Sequence, residues 1–173
     1  MRVVQLLLVV SCLAWAGHAA VQPRDVTPAT SAQVRHAYES IQSAFSNFTL
    51  LSSDAGLGSI FTEDGEWCSL MGSPCQESAA NITAYAHGFI QGFNLKSAIA
   101  KFSGLSINNG YGSFGYVKTF TCDVAGCGPR TCLVPGKSGF KVDAASGKVV
   151  FLHDFVDVTE WTNLCVANCN CQN

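Results

Sequence analysis

The chain has 173 residues, of which 48% are hydrophobic and 13% are charged, and its formal net charge at pH 7 is −2. This length suits one domain with a sizeable hydrophobic core. A slightly acidic chain without a basic run is not expected to bind nucleic acid or an anionic membrane surface. A single globular domain is therefore the first expectation.

The first twenty residues have the features of an export signal. Arg2 supplies a positive start, residues 3–16 form an apolar run, and Ala19 and Ala20 are small residues suited to cleavage. We expect a signal peptide over residues 1–20 and therefore a secreted, extracellular protein. The apolar run is short for a membrane span and no later run is long enough, so none is expected.

Cysteine usage agrees with export. The chain has nine cysteines, and Cys12 leaves with the signal. In an exported protein, the even number that remains predicts about four disulfides. The spacing near the C-terminus is not a usual zinc pattern, and an oxidising compartment favours disulfides over metal binding. The expected disulfide cysteines are Cys68, Cys75, Cys122, Cys127, Cys132, Cys165, Cys169 and Cys171.

The positions of the cysteines suggest some pairings but leave the connectivity open. Cys68 and Cys75 flank a short turn and are suited to a bridge across a hairpin. Cys122 and Cys132 flank a second hairpin in the same way. Cys127 lies in that second loop and is suited to pair with the C-terminal cysteines.

Two asparagines lie in acceptor sequons for N-linked glycans. Asn47 begins an Asn-Phe-Thr triplet and Asn81 an Asn-Ile-Thr triplet. Such triplets are acceptor sites on the surfaces of secreted proteins. Both residues are therefore expected glycosylation sites.

Helical segments are predicted in the first half of the chain, after a loose lead over residues 21–31. Apolar residues at spacings of three and four predict a helix over residues 32–51 and another over residues 79–93. A short helix is expected over residues 57–61. A small hairpin over residues 67–75 follows it.

Strands are predicted in the second half. The turns between them are rich in Gly and Asn, and short loops imply an antiparallel sheet. Pro135 predicts an edge or a bulge, because proline cannot donate to a strand ladder. Helices followed by strands in one chain imply an α+β fold. The predicted strands cover residues 96–107, 113–122, 130–142 and 148–158.

The last of these strands contains a carboxylate among apolar residues, in the sequence GKVVFLHDFVD. Side chains alternate along a strand, so Leu152, Asp154 and Val156 share one face, and His153 lies on the other. An isolated buried carboxylate is costly. Asp154 therefore requires a partner, a water molecule or a function.

Two segments resemble the SnoaL-like branch of the nuclear-transport-factor-two-like superfamily. They are LGSIFTEDGEW, residues 57–67, and SGKVVFLHDFVD, residues 146–157. The resemblance covers residues 32–161 and implies a curved antiparallel sheet wrapped around helices, a cone with an internal pocket. The family includes polyketide cyclases, ketosteroid isomerases, dehydratases and binding modules without catalysis. Residues 162–173, a Cys-rich tail, depart from the family pattern.

The polar groups of ketosteroid isomerases are missing from the matching positions. The position of their first-helix tyrosine matches Phe45, that of their catalytic base lies near Ser69, and that of their protonated aspartate lies near Ser138. Steroid isomerisation is therefore not expected.

The resemblance implies that Leu152, Asp154 and Val156 face the pocket. Asp154 is then the candidate acid or base, since a pocket carboxylate suits proton transfer beside a carbonyl. The alternative is a structural carboxylate bonded to a Tyr, a Trp or a backbone amide. Phe45, Trp67 and Tyr116 complete the candidate ligand contacts, together with Leu152 and Val156.

Three functions follow from these observations. The preferred one is a secreted module that binds a small hydrophobic molecule in the pocket. The alternatives are an enzyme of the cyclase, isomerase or dehydratase kind that uses Asp154, and a structural or interaction protein. The outer sheet face often forms a dimer interface in this family, so a homodimer through that face is implied. No cofactor or metal motif is found, and neither is expected.

Overall fold

The structure is a computed structural model that describes residues 27–53, 56–71, 73–124, 128–156, 158–161 and 163. The expected signal peptide and most of the expected Cys-rich tail lie outside these residues. Most of the helical residues lie in the first half of the described chain and the four longest-paired strands in the second half, and six strands form one sheet, so the α+β prediction is confirmed. Among the described helices, none combines the length and hydrophobicity needed to cross a membrane.

The predicted first helix is divided in two. Helix α1 covers Ser31–Ser46 and helix α2 covers Phe48–Leu51. Asn47 has extended backbone between them, and its side chain accepts a hydrogen bond from the amide of Leu50. Asparagine favours a capping position over a helix interior because its side chain competes for backbone groups.

The following elements lie close to their predicted positions. A 3-10 turn covers Leu57–Ile60 where a short helix was expected, and helix α3 covers Ala79–Gly92 as expected. Strand β1, Phe61–Cys68, begins before the predicted hairpin and pairs with the short strand β2, Gln76–Glu77. The hairpin is therefore confirmed, with a longer first strand.

Four long strands complete the sheet in the order β2-β1-β6-β5-β4-β3. All neighbours are antiparallel except β1 and β6, which run parallel, so the expectation of a purely antiparallel sheet is wrong at this pair. In this pair the first strand lies beside the last strand of the sheet. Parallel neighbours cannot be connected by a short loop, so the loop-based argument for antiparallel pairing does not apply to them. The long strands are β3 Leu95–Asn108, β4 Tyr111–Val124, β5 Gly128–Val142 and β6 Val149–Phe155.

Two local features follow directly from residue type. Asn109 and Gly110 both have positive φ, 47° and 81°, in the two-residue turn between β3 and β4. This is the backbone that a tight hairpin favours. Pro135 pairs with Val117 of β4, but β6 ends opposite Lys137, so among the described strands Pro135 has a neighbour on one side only. The expected edge is thus a local one within β5.

The hydrophobic core lies between the helices and the inner face of the sheet. Helix α1 packs on β3 and β4, where Tyr38 contacts the rings of Phe102 and Phe114. Helix α3 directs Ile82 and Ala86 into the same core. The short helix α4, Val158–Trp161, ends on a tryptophan that packs against Phe89 of α3.

One glycine in β4 is required by the core. A Cβ atom on Gly112 would overlap the ring of Phe140, which lies opposite it and is 1% exposed. We predict that Gly112→Ala lowers the free energy of unfolding by about 1–3 kcal/mol through overpacking. Gly88→Ala is the matched control, because Gly88 lies in α3 with open space where a Cβ atom would stand, and it should stabilise by about 1 kcal/mol. Urea unfolding measures both, and equal effects would contradict the packing argument.

Candidate functional site

A cavity of about 60 Å³ lies inside the cone, among helices α1, α3 and α4 and strands β1, β4 and β5. Its wall is chiefly apolar. Within the described part of the chain, Lys118 is the one charged residue of this wall. The aromatic side chains that line it are Phe45, Trp67, Tyr85, Phe89, Tyr116, Phe120 and Trp161.

Strand alternation places the polar groups of the site. Tyr116 and Lys118 are two residues apart on β4 and point to the same inner face. On the neighbouring strands, Ser138 of β5 lies directly opposite Asp154 of β6. Three adjacent strands therefore bring their polar side chains to one point.

Asp154 is buried and fully engaged. Its Oδ1 accepts a hydrogen bond from the hydroxyl of Ser138, and its Oδ2 accepts from Lys118 Nζ at 2.6 Å and from Trp67 Nε1 at 3.4 Å. The Asp154 side chain is 1% exposed and that of Lys118 is 11% exposed. Three donors, one of them charged, offset the cost of removing this carboxylate from water.

The Lys118 ammonium group is held from three sides. Besides its ion pair with Asp154, it lies 4.5 Å from the ring centroid of Phe45 and 4.4 Å from that of Tyr116. Cations bind favourably over aromatic faces, more strongly where water is excluded. The ammonium group is thus fixed at the cavity wall, with Asp154 behind it.

Tyr116 offers a second polar group at this wall. Its hydroxyl is buried and has no hydrogen-bond partner among the described residues. Burial, and then the nearby charge of Asp154, raise the pKa of Tyr116 far above its usual value. The phenol therefore stays protonated and able to donate a hydrogen bond.

No family model matches the sequence, and no curated protein matches it. Solved structures match its fold. An LEH-like epoxide hydrolase of M. tuberculosis is 12% identical with a TM-score of 0.59, over 79% of this chain and 92% of that one. SalBIII, an epoxide hydrolase/cyclase-like enzyme of pyran ring formation in salinomycin, is 13% identical with a TM-score of 0.58, over 73% and 94%. A protein of Shewanella putrefaciens CN-32 is named as a SnoaL-like polyketide cyclase on likeness alone. It is 9% identical with a TM-score of 0.61, over 78% of this chain and 96% of that one.

The chain has the SnoaL-like cone fold. The identities are so low that this similarity establishes the fold and not the chemistry.

Within this SnoaL-like fold, most of the expected ligand contacts meet at the cavity. Phe45, Trp67, Tyr116 and Val156 all line it. Leu152 does not, because it is fully buried in the core between the sheet and the helices. Asp154 shares the inner face with them but lies behind Lys118 and is not part of the lining.

Sequence reasoning missed Lys118, the partner of Asp154. The signal was present, since Lys118 interrupts the apolar inner face formed by Phe114, Tyr116 and Phe120. A lysine at such a position needs a counter-charge. Ser138, a second residue whose role the sequence did not indicate, donates a hydrogen bond to Asp154.

His153 of strand β6 lies on the opposite face of the sheet from Asp154, as expected from strand alternation. His153 points away from the cavity and contacts Glu66, so it forms no pair with Asp154.

Cys68 and Cys75 form the expected disulfide. Cys122 and Cys132 are both disulfide-bonded. The register of β4 and β5 places Cys122 opposite Arg130 and not opposite Cys132. Cys68–Cys75 is the one disulfide in which both cysteines belong to the described residues.

The remaining cysteines, Cys127, Cys165, Cys169 and Cys171, lie outside the described residues. Both sequon asparagines are exposed. Asn47 uses its side-chain oxygen as a cap, which leaves its nitrogen available for a glycan.

The buried ion pair generates a stability prediction. Asp154→Asn leaves the Lys118 ammonium without a counter-charge and should cost about 3–5 kcal/mol, and Lys118→Met should also destabilise strongly. The double variant should cost several kcal/mol less than the sum, because neither charge is then left unpaired. Chemical unfolding of the four proteins measures the coupling, and additivity within about 0.5 kcal/mol would show that the two groups act independently.

Proposed function

We propose that this chain is a secreted protein that binds a small hydrophobic molecule in the cavity of its cone. The observation that carries the proposal is the concave, aromatic wall with one fixed cation among the described residues, Lys118. Ligand sites are typically apolar concavities with a few well-placed polar groups. The structural neighbours named as cyclases or hydrolases have the same cone, which supports a small-molecule site of this kind.

The cavity volume limits the ligand. A single water molecule needs about 10–15 Å³ of such space. A cavity of about 60 Å³ therefore accepts a compact group of a few non-hydrogen atoms without rearrangement. Apolar atoms would contact the rings, and a polar atom would lie near Lys118 or the unpartnered hydroxyl of Tyr116.

Secretion is part of the proposal. The signal-like residues 1–20 support it, and so do the Cys68–Cys75 disulfide and the disulfide-bonded Cys122 and Cys132. Disulfides persist mainly in oxidising compartments. Exposed sequons at Asn47 and Asn81 fit the same route.

Tryptophan fluorescence tests ligand binding directly. The sequence has three tryptophans, and Trp15 lies in the proposed signal. The two tryptophans that the mature chain keeps, Trp67 and Trp161, both line the cavity. Small apolar probes such as benzene or butanone should change this emission saturably. Ala86→Met fills the cavity and should abolish the change, whereas Ala80→Met, exposed on the same helix, should not. No saturable change with any probe, or an equal response of Ala86→Met, would refute the proposed binding site.

An enzyme of the cyclase, isomerase or dehydratase kind is the second candidate, favoured by the Lys118–Asp154 pair at the wall. In that reaction Lys118 would face the substrate and stabilise a developing negative charge. Both oxygens of Asp154 already accept hydrogen bonds, so Asp154 would act chiefly by positioning Lys118.

Turnover assays distinguish this candidate from simple binding. Carbonyl compounds suited to cyclisation, isomerisation or dehydration would be incubated with the protein and products followed by mass spectrometry. For any substrate found, Lys118→Met should lower kcat by about 10²–10³-fold, the usual effect of losing one such donor. Lys101→Met, at an exposed lysine of β3, is the control. A Lys118→Met protein with unchanged kcat would rule out this mechanism.

The outer sheet face carries exposed apolar side chains, among them Ile99, Leu133 and Phe155. A homodimer through this face stays a prediction.

A further inference from the structure

A second cluster of reactive side chains lies on the outer face of the sheet, away from the cavity. It consists of Glu66, Cys68 and His153, whose ligand atoms all lie within 4.8 Å of one another. Glu66 Oε1 is 2.6 Å from His153 Nε2 and 3.4 Å from Cys68 Sγ. Carboxylate, thiolate and imidazole are the donors that Zn²⁺ takes in proteins.

Two paired strands hold these donors in place. Glu66 and Cys68 are two residues apart on β1 and therefore share a face. His153 lies directly opposite Cys68 on the parallel neighbour β6, and the ring of Phe151 packs against its imidazole at 4.7 Å. A site built on adjacent strands is more rigid than one built on loops.

The disulfide decides how many donors are available. Cys68 is bonded to Cys75, so its sulfur is not a metal ligand in this state, and His153 and Glu66 are left in contact with each other. Reduction would free two thiols beside that pair. Cys68, Cys75, His153 and Glu66 then make four donors, the number of a tetrahedral zinc site.

The spacing of the donors suits a zinc ion. Tetrahedral bonds of about 2.0–2.3 Å put neighbouring donors about 3.3–3.7 Å apart. The sulfur–oxygen separation of 3.4 Å already falls in this range, and the nitrogen–oxygen separation of 2.6 Å needs to widen by about 1 Å, a side-chain movement. The side chains of Glu66 and His153 are each 37% exposed and Cys75 is exposed, so a metal ion has access.

We propose that reduction of the Cys68–Cys75 disulfide creates a zinc-binding site from Cys68, Cys75, His153 and Glu66. A dithiol reductant gives two electrons and two protons to the disulfide and becomes a disulfide itself, which leaves two thiols. Zn²⁺ then displaces the two thiol protons and is also bound by the carboxylate and by Nε2 of the neutral imidazole. Glu77 lies opposite Glu66 on β2 and adds negative charge that attracts a cation. The site does not depend on the proposed cavity function, since it lies on the other face of the sheet.

The test uses the full mature chain, with Zn²⁺ as the probe and a water-soluble phosphine as the reductant. The phosphine takes the oxygen of a water molecule and becomes the phosphine oxide, and the disulfide becomes two thiols. Cys122 and Cys132 are 0% and 2% exposed, so mild treatment should reduce the accessible Cys68–Cys75 bond first. Alkylation and peptide mass mapping confirm which cysteines are free. Competition with a chromophoric chelator then gives the stoichiometry and the affinity, and Co²⁺ reports thiolate ligation through its charge-transfer absorption.

The reduced protein should bind one Zn²⁺ at least about 100-fold more tightly than the oxidised protein. His153→Ala and Glu66→Gln should each weaken binding to the reduced form at least about tenfold. His36→Ala is the matched control, because His36 lies beside Glu39 in an exposed pair with no cysteine near it among the described residues, and it should change nothing.

Three results would overturn the proposal. Equal zinc affinity before and after reduction would mean that the thiols are not ligands. Unchanged affinity in reduced His153→Ala would mean that other thiols hold the metal and that His153 and Glu66 only contact each other. If reduction unfolds the chain, Zn²⁺ should restore the native tryptophan emission in the wild type but not in His153→Ala, and failure to restore it would also overturn the proposal.

Discussion

The structure depends on the need to neutralise one carboxylate inside an apolar cone. Asp154 reaches the interior because strand β6 alternates, and its side chain is 1% exposed there. Lys118 supplies the opposite charge, while Ser138 and Trp67 supply the remaining donors. These contacts link strands β1, β4, β5 and β6 through a single side chain. Breaking such a buried pair is far more costly than breaking a surface pair, since a charge is then left without solvent or partner.

The same pair determines the character of the cavity. Because Asp154 lies behind Lys118, the wall presents an ammonium group whose charge is already balanced, between the rings of Phe45 and Tyr116. A neutral apolar molecule with one polar atom suits this environment better than a charged one, whose own charge would be unbalanced after losing its water. The cavity is thus polar at one point and apolar over the rest of its wall.

The cone fold carries many chemistries, and the side chains at its inner wall decide between them. Here Phe45 and Ser138 both contact the Lys118–Asp154 pair, so this inner wall is built around one buried ion pair. The sheet also separates two environments. Its inner face surrounds the cavity, and its outer face at β1 and β6 holds Glu66, Cys68 and His153. Strand alternation alone allows neighbours such as His153 and Asp154 to belong to different sites.

The sequence by itself determined what depends on short-range periodicity. Alternation separated Asp154 from His153, helical spacing located α3, and the short turn between Cys68 and Cys75 indicated their disulfide. Only the tertiary structure decided which distant residues meet. Lys118 is 36 residues from Asp154, and their contact follows from the combined register of β4, β5 and β6. The parallel pairing of β1 with β6, and with it the position of Glu66 beside His153, likewise has no local signal, because strand pairing is set by packing of the whole sheet.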